Sequence, residues 1–474
     1  MSFWNRRKSI DALGATDTHR RLKGTLGWPH LMALGVGAIV GTGIYTLTGV
    51  GADRAGPAVI LSFAIAGLVC ACAALAYAEM ATLMPVAGSA YTYTYAVGGE
   101  LLAWIVGWSL ILEYSVVCSA VAVGWSGYAV GFLQSMGVAL PHALAGGPHA
   151  GGVMNLPAVV IIFAVAGLLL LGTRESATVN AVLVVVKLVA LVVFIALAAM
   201  AFDAQHFAPF MPHGFSAHLE GGVMRGVMAA AGIIFFAFYG FDAVSTAAEE
   251  TRNPSRNLVI GIIGSMIVCT LLYMAVATAA LGAMPFTEFA GSPEPLAHVL
   301  RGLGHPIAAK LIGAAAVVAL PTVILAFLYG QSRIFFVMSR DGLLPERLAR
   351  VNQKTGTPVA ITVLTAAIVS IIAALFPLAE IAELANAGTL CAFVAVAACM
   401  LVLRVRDPHR PRPFRTPLPW IVGVVAILGC IYLFVSLPPI TRTRFFIWNG
   451  IGLAVYLVYS MRTSRLAKGS QEAA

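Results

Sequence analysis

Apolar residues in this chain come in long runs separated by glycine, proline and charged breaks. Six runs lie at about 31–51, 57–84, 100–133, 156–172, 178–201 and 222–247, and six more at about 258–283, 306–338, 358–376, 383–404, 418–438 and 445–461. About 20 consecutive apolar residues in a helix cross the hydrocarbon core of a bilayer, and the longer runs fit with tilt or protrusion. The pattern predicts an all-α membrane protein of about 12 transmembrane helices. An even count places both ends on one side. The polar flanks, 1–30 and 463–474, then read as cytoplasmic tails around a multi-pass body.

The first run is irregular inside. Of the ten residues Gly35 to Ile44, four are glycine, which predicts a helix broken midway and restarting near Ile44. Backbone broken at membrane depth is tolerated only against protein or a watery cavity. A restarting half-helix turns free N–H groups and a positive dipole end toward that cavity, which suits a carboxylate. Close helix packing is the other use of this spacing, since Gly37 and Gly41 also form a small-xxx-small pair. The sixth run repeats the device, with Gly240 and then Asp242 midway through Phe235 to Asp242. Two interrupted spans, each opening a set of five, form the pattern of a 5+5 inverted-repeat transporter. By parity one break offers N–H groups to an anion and the other offers carbonyls to an ammonium group, so a zwitterion fits. The expected division is a first repeat at 31–201, a second at 222–404 and two additional helices at 405–462.

Composition narrows the class. Of 474 residues, 60% are hydrophobic and 10% charged, against a charged fraction near a quarter in soluble domains. The formal net charge of +9 does not indicate nucleic acid, because the basic residues fall in short loops. Arg6, Arg7, Lys8, Arg20, Arg21 and Lys23, then Arg174, Arg252, Arg256, and three groups lie on the side of the N-terminus. Those groups are Arg333, Arg340, Arg347, Arg350 and Lys354; Arg404, Arg406, Arg410, Arg412 and Arg415; and Arg462, Arg465 and Lys468. The other side holds only Arg54, Arg225, Arg301, Lys310, Arg442 and Arg444, as the positive-inside rule requires. The seven cysteines lie in apolar stretches without metal-ligand spacing and read as packing residues; no metal or cofactor is expected. No glycine is followed by lysine in a GxxxxGK[ST] loop, which excludes an ATP-driven pump unless a partner supplies ATP. No HExxH or His/Asp cluster suggests a membrane enzyme. A channel or an amino acid sensor shares the hydropathy.

Three long motifs carry a family resemblance: Gly37 to Ile44; Phe236 to Pro254, ending Glu249-Glu250-Thr251-Arg252-Asn253-Pro254; and Gly330-Gln331-Ser332-Arg333 with Ser339 to Pro345. From about Leu22 to Arg465 the chain resembles the amino acid-polyamine-organocation transporters, most closely the bacterial branch of the cationic amino acid transporter family. The resemblance implies a twelve-span inverted-repeat fold and proton-coupled uptake of amino acids across the plasma membrane, the inner membrane of a bacterial cell. It implies that Ile39, Gly41, Thr42 and Gly43 form the segment whose backbone takes the substrate α-carboxylate. Phe236, Ala237 and Tyr239 match the positions whose carbonyls take the α-amino group, with Phe236 closing over the substrate. Tyr239 stands where relatives often carry isoleucine or valine, and narrows the pocket. Leu328 faces the substrate side chain and favours a neutral amino acid over arginine or lysine, with a cationic substrate or exchange as the alternative.

Ionisable groups at helix centres are expensive, with estimates from about 2.5 kcal/mol upward. Lys187 lies about 13 residues beyond Arg174, roughly 20 Å along a helix, too deep to snorkel. It reads either as a titrating group coupled to transport, held by carbonyls near Gly37 and Ala38, or as a purely structural lysine on the same carbonyls. In proton-coupled members of the family resembled, a fifth-span lysine takes the place of a sodium ion between the first and eighth spans. Glu113 borders the pocket by the same resemblance, or else links packed helices. Asp242 reads as a cap for the half-helix after the sixth-run break, and Glu249 and Glu250 as solvated. On the inner side, Glu79 is expected to pair with Arg333 and Arg340.

Overall fold

The computed structural model describes residues 6–10, 26–86, 88–171, 176–248, 251–345, 348 and 359–467. Arg20, Arg21, Lys23, Arg174, Glu249, Glu250, Arg347, Arg350, Lys354 and Lys468 lie outside them. The chain is predominantly helical and forms a multi-pass membrane protein. Among the described residues, seven helices are long and apolar enough to cross a membrane, or eight if Pro419–Val435 and Pro439–Thr463, bent by 111°, count as one span. Three shorter apolar helices, Trp28–Ile39, Leu156–Leu170 and Val359–Leu375, account for the remaining runs. Helices begin repeatedly at proline, as at Pro254, Pro306, Pro321, Pro419 and Pro439, where the missing N–H is one that a helix start cannot use. The tenth and twelfth runs start earlier than hydropathy indicates, at Leu378 and Pro439, because their first turns carry Glu380, Glu383, Arg442 and Arg444.

Burial follows the helical period where a helix has one wet or lipid face. On Ser176–Met200, Val184, Lys187, Leu191, Phe194 and Ala198 face inward while Val182, Val185, Val189 and Val192 are exposed. Lys187 therefore sits on the packed face. The helix of the sixth run has no exposed face: every residue of Val227–Ile234 is buried. A helix apolar all round belongs at the centre of its bundle. Among the described residues, the one sheet is a two-stranded hairpin pairing His218–Glu220 with Val223–Arg225, its second strand taking up the first residues of the sixth run. It ties the end of the first run to the start of the sixth, since Arg225 Nη1 donates to the Asp53 carbonyl at 2.7 Å and the Gly226 N–H to the Arg54 carbonyl at 2.8 Å.

The described segments nearest the two termini meet. Arg6 donates to the Met461 carbonyl at 3.1 Å and pairs with Glu100 at 3.4 Å, and Glu100 also accepts from Tyr95, Tyr456 and Ser464. Lys8 pairs with Asp341 at 2.6 Å, whose backbone carbonyl receives the Arg465 N–H. Burial among these groups pulls the Lys8 ammonium below its usual range, against the favourable pull of the Asp341 carboxylate.

Glu79 does not pair with the eighth run. Its carboxylate accepts from Arg404 at 2.9 and 2.6 Å, lies 3.2 Å from Arg412 Nε and accepts the Thr416 N–H at 2.8 Å. Arg333 instead lies 3.2 Å over the Tyr329 ring, and Arg340 lies 5.7 Å from the Phe336 ring. The C-terminal end of the second run packs along the tenth, so the nearest guanidinium groups come from the tenth run and the loop after it. Only 1% of Glu79 is exposed, so this is a buried network rather than a weak surface pair. Breaking a buried pair costs about 3 to 5 kcal/mol. Glu79→Ala should therefore lower the thermal unfolding midpoint of the detergent-solubilised protein by several degrees; an unchanged midpoint would show that the network contributes nothing.

Candidate functional site

The first run leaves helical geometry at Val40 and Gly41. Trp28–Ile39 is followed by Val40 at φ −73°, ψ 95° and Gly41 at φ −149°, ψ −147°, and helix resumes over Thr42–Tyr45 and Leu47–Ala55. The restart is at Thr42, two residues before the expected Ile44. In the sixth run, Val227–Ile234 passes into one tight 3₁₀ stretch, Phe235–Phe238, then extended Tyr239, and helix resumes at Phe241–Thr246. Gly240 joins the halves at φ 115°, a conformation side chains rarely adopt.

The two interruptions touch. A Cβ at Gly43 would lie 2.3 Å from Ala237 Cα, and one at Gly240 would lie 2.6 Å from Ala38 Cβ and 2.8 Å from the Ile39 nitrogen. The eighth run closes a third side, where a Cβ at Gly41 would meet a Val323 methyl at 3.0 Å.

A broken helix frees carbonyls at its C-terminal end, and in a dry core each needs a donor. Lys187 Nζ donates to the Gly37 oxygen at 2.6 Å and the Val40 oxygen at 2.8 Å, and reaches Thr322 Oγ1 of the eighth run at 3.3 Å. The Ile39 oxygen takes the Tyr273 hydroxyl at 2.6 Å. On the other side of the break, Thr42 and Gly43 open the next helix, where first-turn N–H groups have no partner within the helix. The Gly41 carbonyl already receives Ile44 and Tyr45 N–H groups, both at 3.2 Å. The Thr42 hydroxyl turns to the third run and reaches the Val121 carbonyl at 3.5 Å.

At the sixth-run break, Asp242 accepts the Gly240 N–H and the Tyr114 hydroxyl, each at 3.1 Å. It holds the backbone of the break and anchors it to the third run. Phe236 packs on Tyr239 with ring centroids 5.1 Å apart. The Tyr239 hydroxyl donates to Asn386 Oδ1, and Asn386 Nδ2 donates to the Gly232 oxygen at 2.6 Å. Glu113 is fully buried, and neither of its carboxyl oxygens has a hydrogen-bond partner among the described residues. It packs on Gly388 of the tenth run, where a Cβ would lie 3.0 Å from Glu113 Cβ. Leu328 is buried farther along the helix that meets the break through Val323.

Ile39, Gly41, Thr42, Gly43, Phe236, Ala237 and Tyr239 thus come together around one pair of interruptions, with Lys187 on their carbonyl side. Tyr273, Thr322 and Asn386 belong to the same assembly but are single polar residues in apolar runs, a pattern that does not distinguish them from packing residues. The lysine lands on the oxygens of Gly37, in the last helical turn, and of Val40, in the break itself, rather than on that of Ala38.

A family model described as amino acid permease matches residues 26–459. The branched-chain amino acid permease of Bacillus subtilis (strain 168) is 46% identical over 466 residues, covering 97% of this chain and 98% of that one. The methylthioribose transporter of the same organism is 40% identical over 471 residues, covering 99% and 100%. Cationic amino acid transporter 3, mitochondrial, of Arabidopsis thaliana is 36% identical over 423 residues, covering 87% and 68%. The match spans both interrupted runs and every residue placed around them, and the chain belongs to the amino acid permease family of the amino acid-polyamine-organocation superfamily.

Proposed function

We propose that this protein imports neutral, apolar L-amino acids across the plasma membrane, coupled to protons, by alternating access between two inverted repeats. The observation that carries the reading is the position of the Lys187 ammonium, which bridges the broken first run and the eighth run through Gly37, Val40 and Thr322. A tethered ammonium there occupies a junction that a coupling cation would otherwise need, and it can carry the proton instead. Free N–H groups at Thr42 and Gly43 would take the α-carboxylate, and carbonyls of the Phe236 to Tyr239 stretch the α-ammonium. Phe236 would close over the substrate, Leu328 and Tyr239 would bound its side chain, and Glu113 would border the pocket. We read the twelve apolar runs as twelve spans, 31–201 and 222–404 as the repeats and 405–462 as the extra pair, with both tails cytoplasmic. The contact of Arg6 with Met461 supports a common side for the ends.

The branched-chain permease among the relatives supports a branched-chain substrate, and the cationic amino acid transporter together with the buried acid at Glu113 keeps a cationic one as the alternative. A second reading follows from the methylthioribose transporter, which matches nearly the whole chain at 40% identity; that sugar carries neither carboxylate nor amine. Competition of unlabelled amino acids, methylthioribose and decarboxylated amines against radiolabelled alanine uptake in proteoliposomes separates these. Leucine, valine and alanine should compete and their amines should fail. An amine that competes as well as its parent amino acid overturns the carboxylate site, and competition by methylthioribose alone overturns the amino acid reading.

A further inference from the structure

Asn386 is a buried amide on the helix Leu378–Arg406, with no exposed surface. Polar side chains at such depth are costly unless satisfied. Its amide donates to the Gly232 oxygen at 2.6 Å and the Ile233 oxygen at 3.4 Å, and its Oδ1 accepts the Tyr239 hydroxyl. The orientation is forced, since two carbonyls can only accept and must face the NH₂ group. Gly232 and Ile233 lie in the last turn of Val227–Ile234, just before the break, and Tyr239 lies just after the 3₁₀ stretch. One side chain therefore spans the interruption of the sixth run from its far side.

The consequence is for the Tyr239 ring. Its flanks are set by Phe235 at 5.5 Å and Phe236 at 5.1 Å between centroids, and its tip by Asn386. A ring held only by packing can rotate about two torsions when a larger group presses on it. A ring bonded at its hydroxyl cannot without breaking that bond. We propose that Asn386 is a positioning residue that pins Tyr239 as the wall limiting the length of substrate side chain, so that selectivity among apolar amino acids is set from the tenth run. This rests on the reading of the two interruptions as the amino acid site.

The test compares inhibition constants of leucine and alanine for Tyr239→Phe, Asn386→Ala and the double variant, in proteoliposomes at matched protein, with Gly41→Val alongside. Each single variant should shift the ratio toward leucine about three- to tenfold, the size expected for losing one hydrogen bond of about 1 kcal/mol. The double variant should shift it no further than the larger single, because the bond between Tyr239 and Asn386 is already lost in either single variant. A purely structural Asn386 would change both constants together, and an unchanged ratio overturns the proposal, as does a double shift equal to the product of the singles. If Asn386→Ala does not fold, Tyr239→Phe decides alone, since it keeps the ring and removes only the hydroxyl. Loss of alanine binding in Gly41→Val with an unchanged ratio would sink the Asn386 role and leave the site standing. Normal binding in Gly41→Val would remove the site and this proposal with it.

Discussion

Gly43→Ala will abolish uptake, while Gly41→Ala will keep part of it. The backbones of the two interrupted runs are in contact at Gly43, where an added methyl would sit 2.3 Å from Ala237 Cα and 2.6 Å from Ala237 Cβ. No side-chain rotation relieves a clash with a Cα, so the two runs must separate. Overpacking of this kind costs typically about 1 to 3 kcal/mol, and it falls on the surfaces proposed to hold the substrate. At Gly41 the nearest atom is a Val323 methyl at 3.0 Å, which can yield by a few tenths of an ångström. Gly240→Ala should match Gly43→Ala, because it adds a left-handed φ to a clash with Ala38 and Ile39. Radiolabelled alanine uptake at equal reconstituted protein reads the order. Wild-type uptake by Gly43→Ala would mean that the two runs do not approach so closely in the membrane.

The interrupted runs were legible because glycine is a poor choice in a helix unless its backbone freedom or its missing side chain is used, and four glycines in ten residues exceed what one packing contact needs. Lys187 was legible because a charge so deep has few solutions. Its partners were only half legible: carbonyls of the first run followed from the break, but Thr322 did not, since hydropathy gives depth along a helix and not which neighbour lies across it. Tyr273 and Asn386 escaped for the same reason. Glu79 shows the limit most clearly. Charge counting placed it on the side rich in arginine, and many arginines lie there, so choosing Arg404 and Arg412 over Arg333 and Arg340 required knowing that the second run packs along the tenth. The networks of Glu100 and Asp341 are long-range in sequence and were invisible in a single chain's pattern.

Lys187→Ala should lose accumulation driven by an inward proton gradient while still exchanging labelled for unlabelled substrate. The ammonium is enclosed by three oxygens from two elements that the proposed alternating access moves relative to each other: Gly37 and Val40 on the first run and Thr322 on the eighth. Burial disfavours a charged amine and the oxygens favour it. In the proposed cycle, movement of the first run weakens the second effect while the first persists, and the proton then leaves to the side that has opened. Alanine at 187 removes both the proton and the donor, leaving two carbonyls unpartnered at a cost of about 1 to 3 kcal/mol each, so protein yield must be matched before rates are compared. Lys187→Arg separates coupling from architecture. Guanidinium donates to the same oxygens but does not deprotonate, so a structural role predicts rescue and a coupling role predicts none. In wild-type proteoliposomes, uptake should rise as the external pH falls; in both variants it should be flat. Undiminished pH-driven accumulation by Lys187→Ala would leave Lys187 as a structural lysine. The proton site would then have to be sought at Glu113, the other buried ionisable group whose carboxyl oxygens have no partner among the described residues.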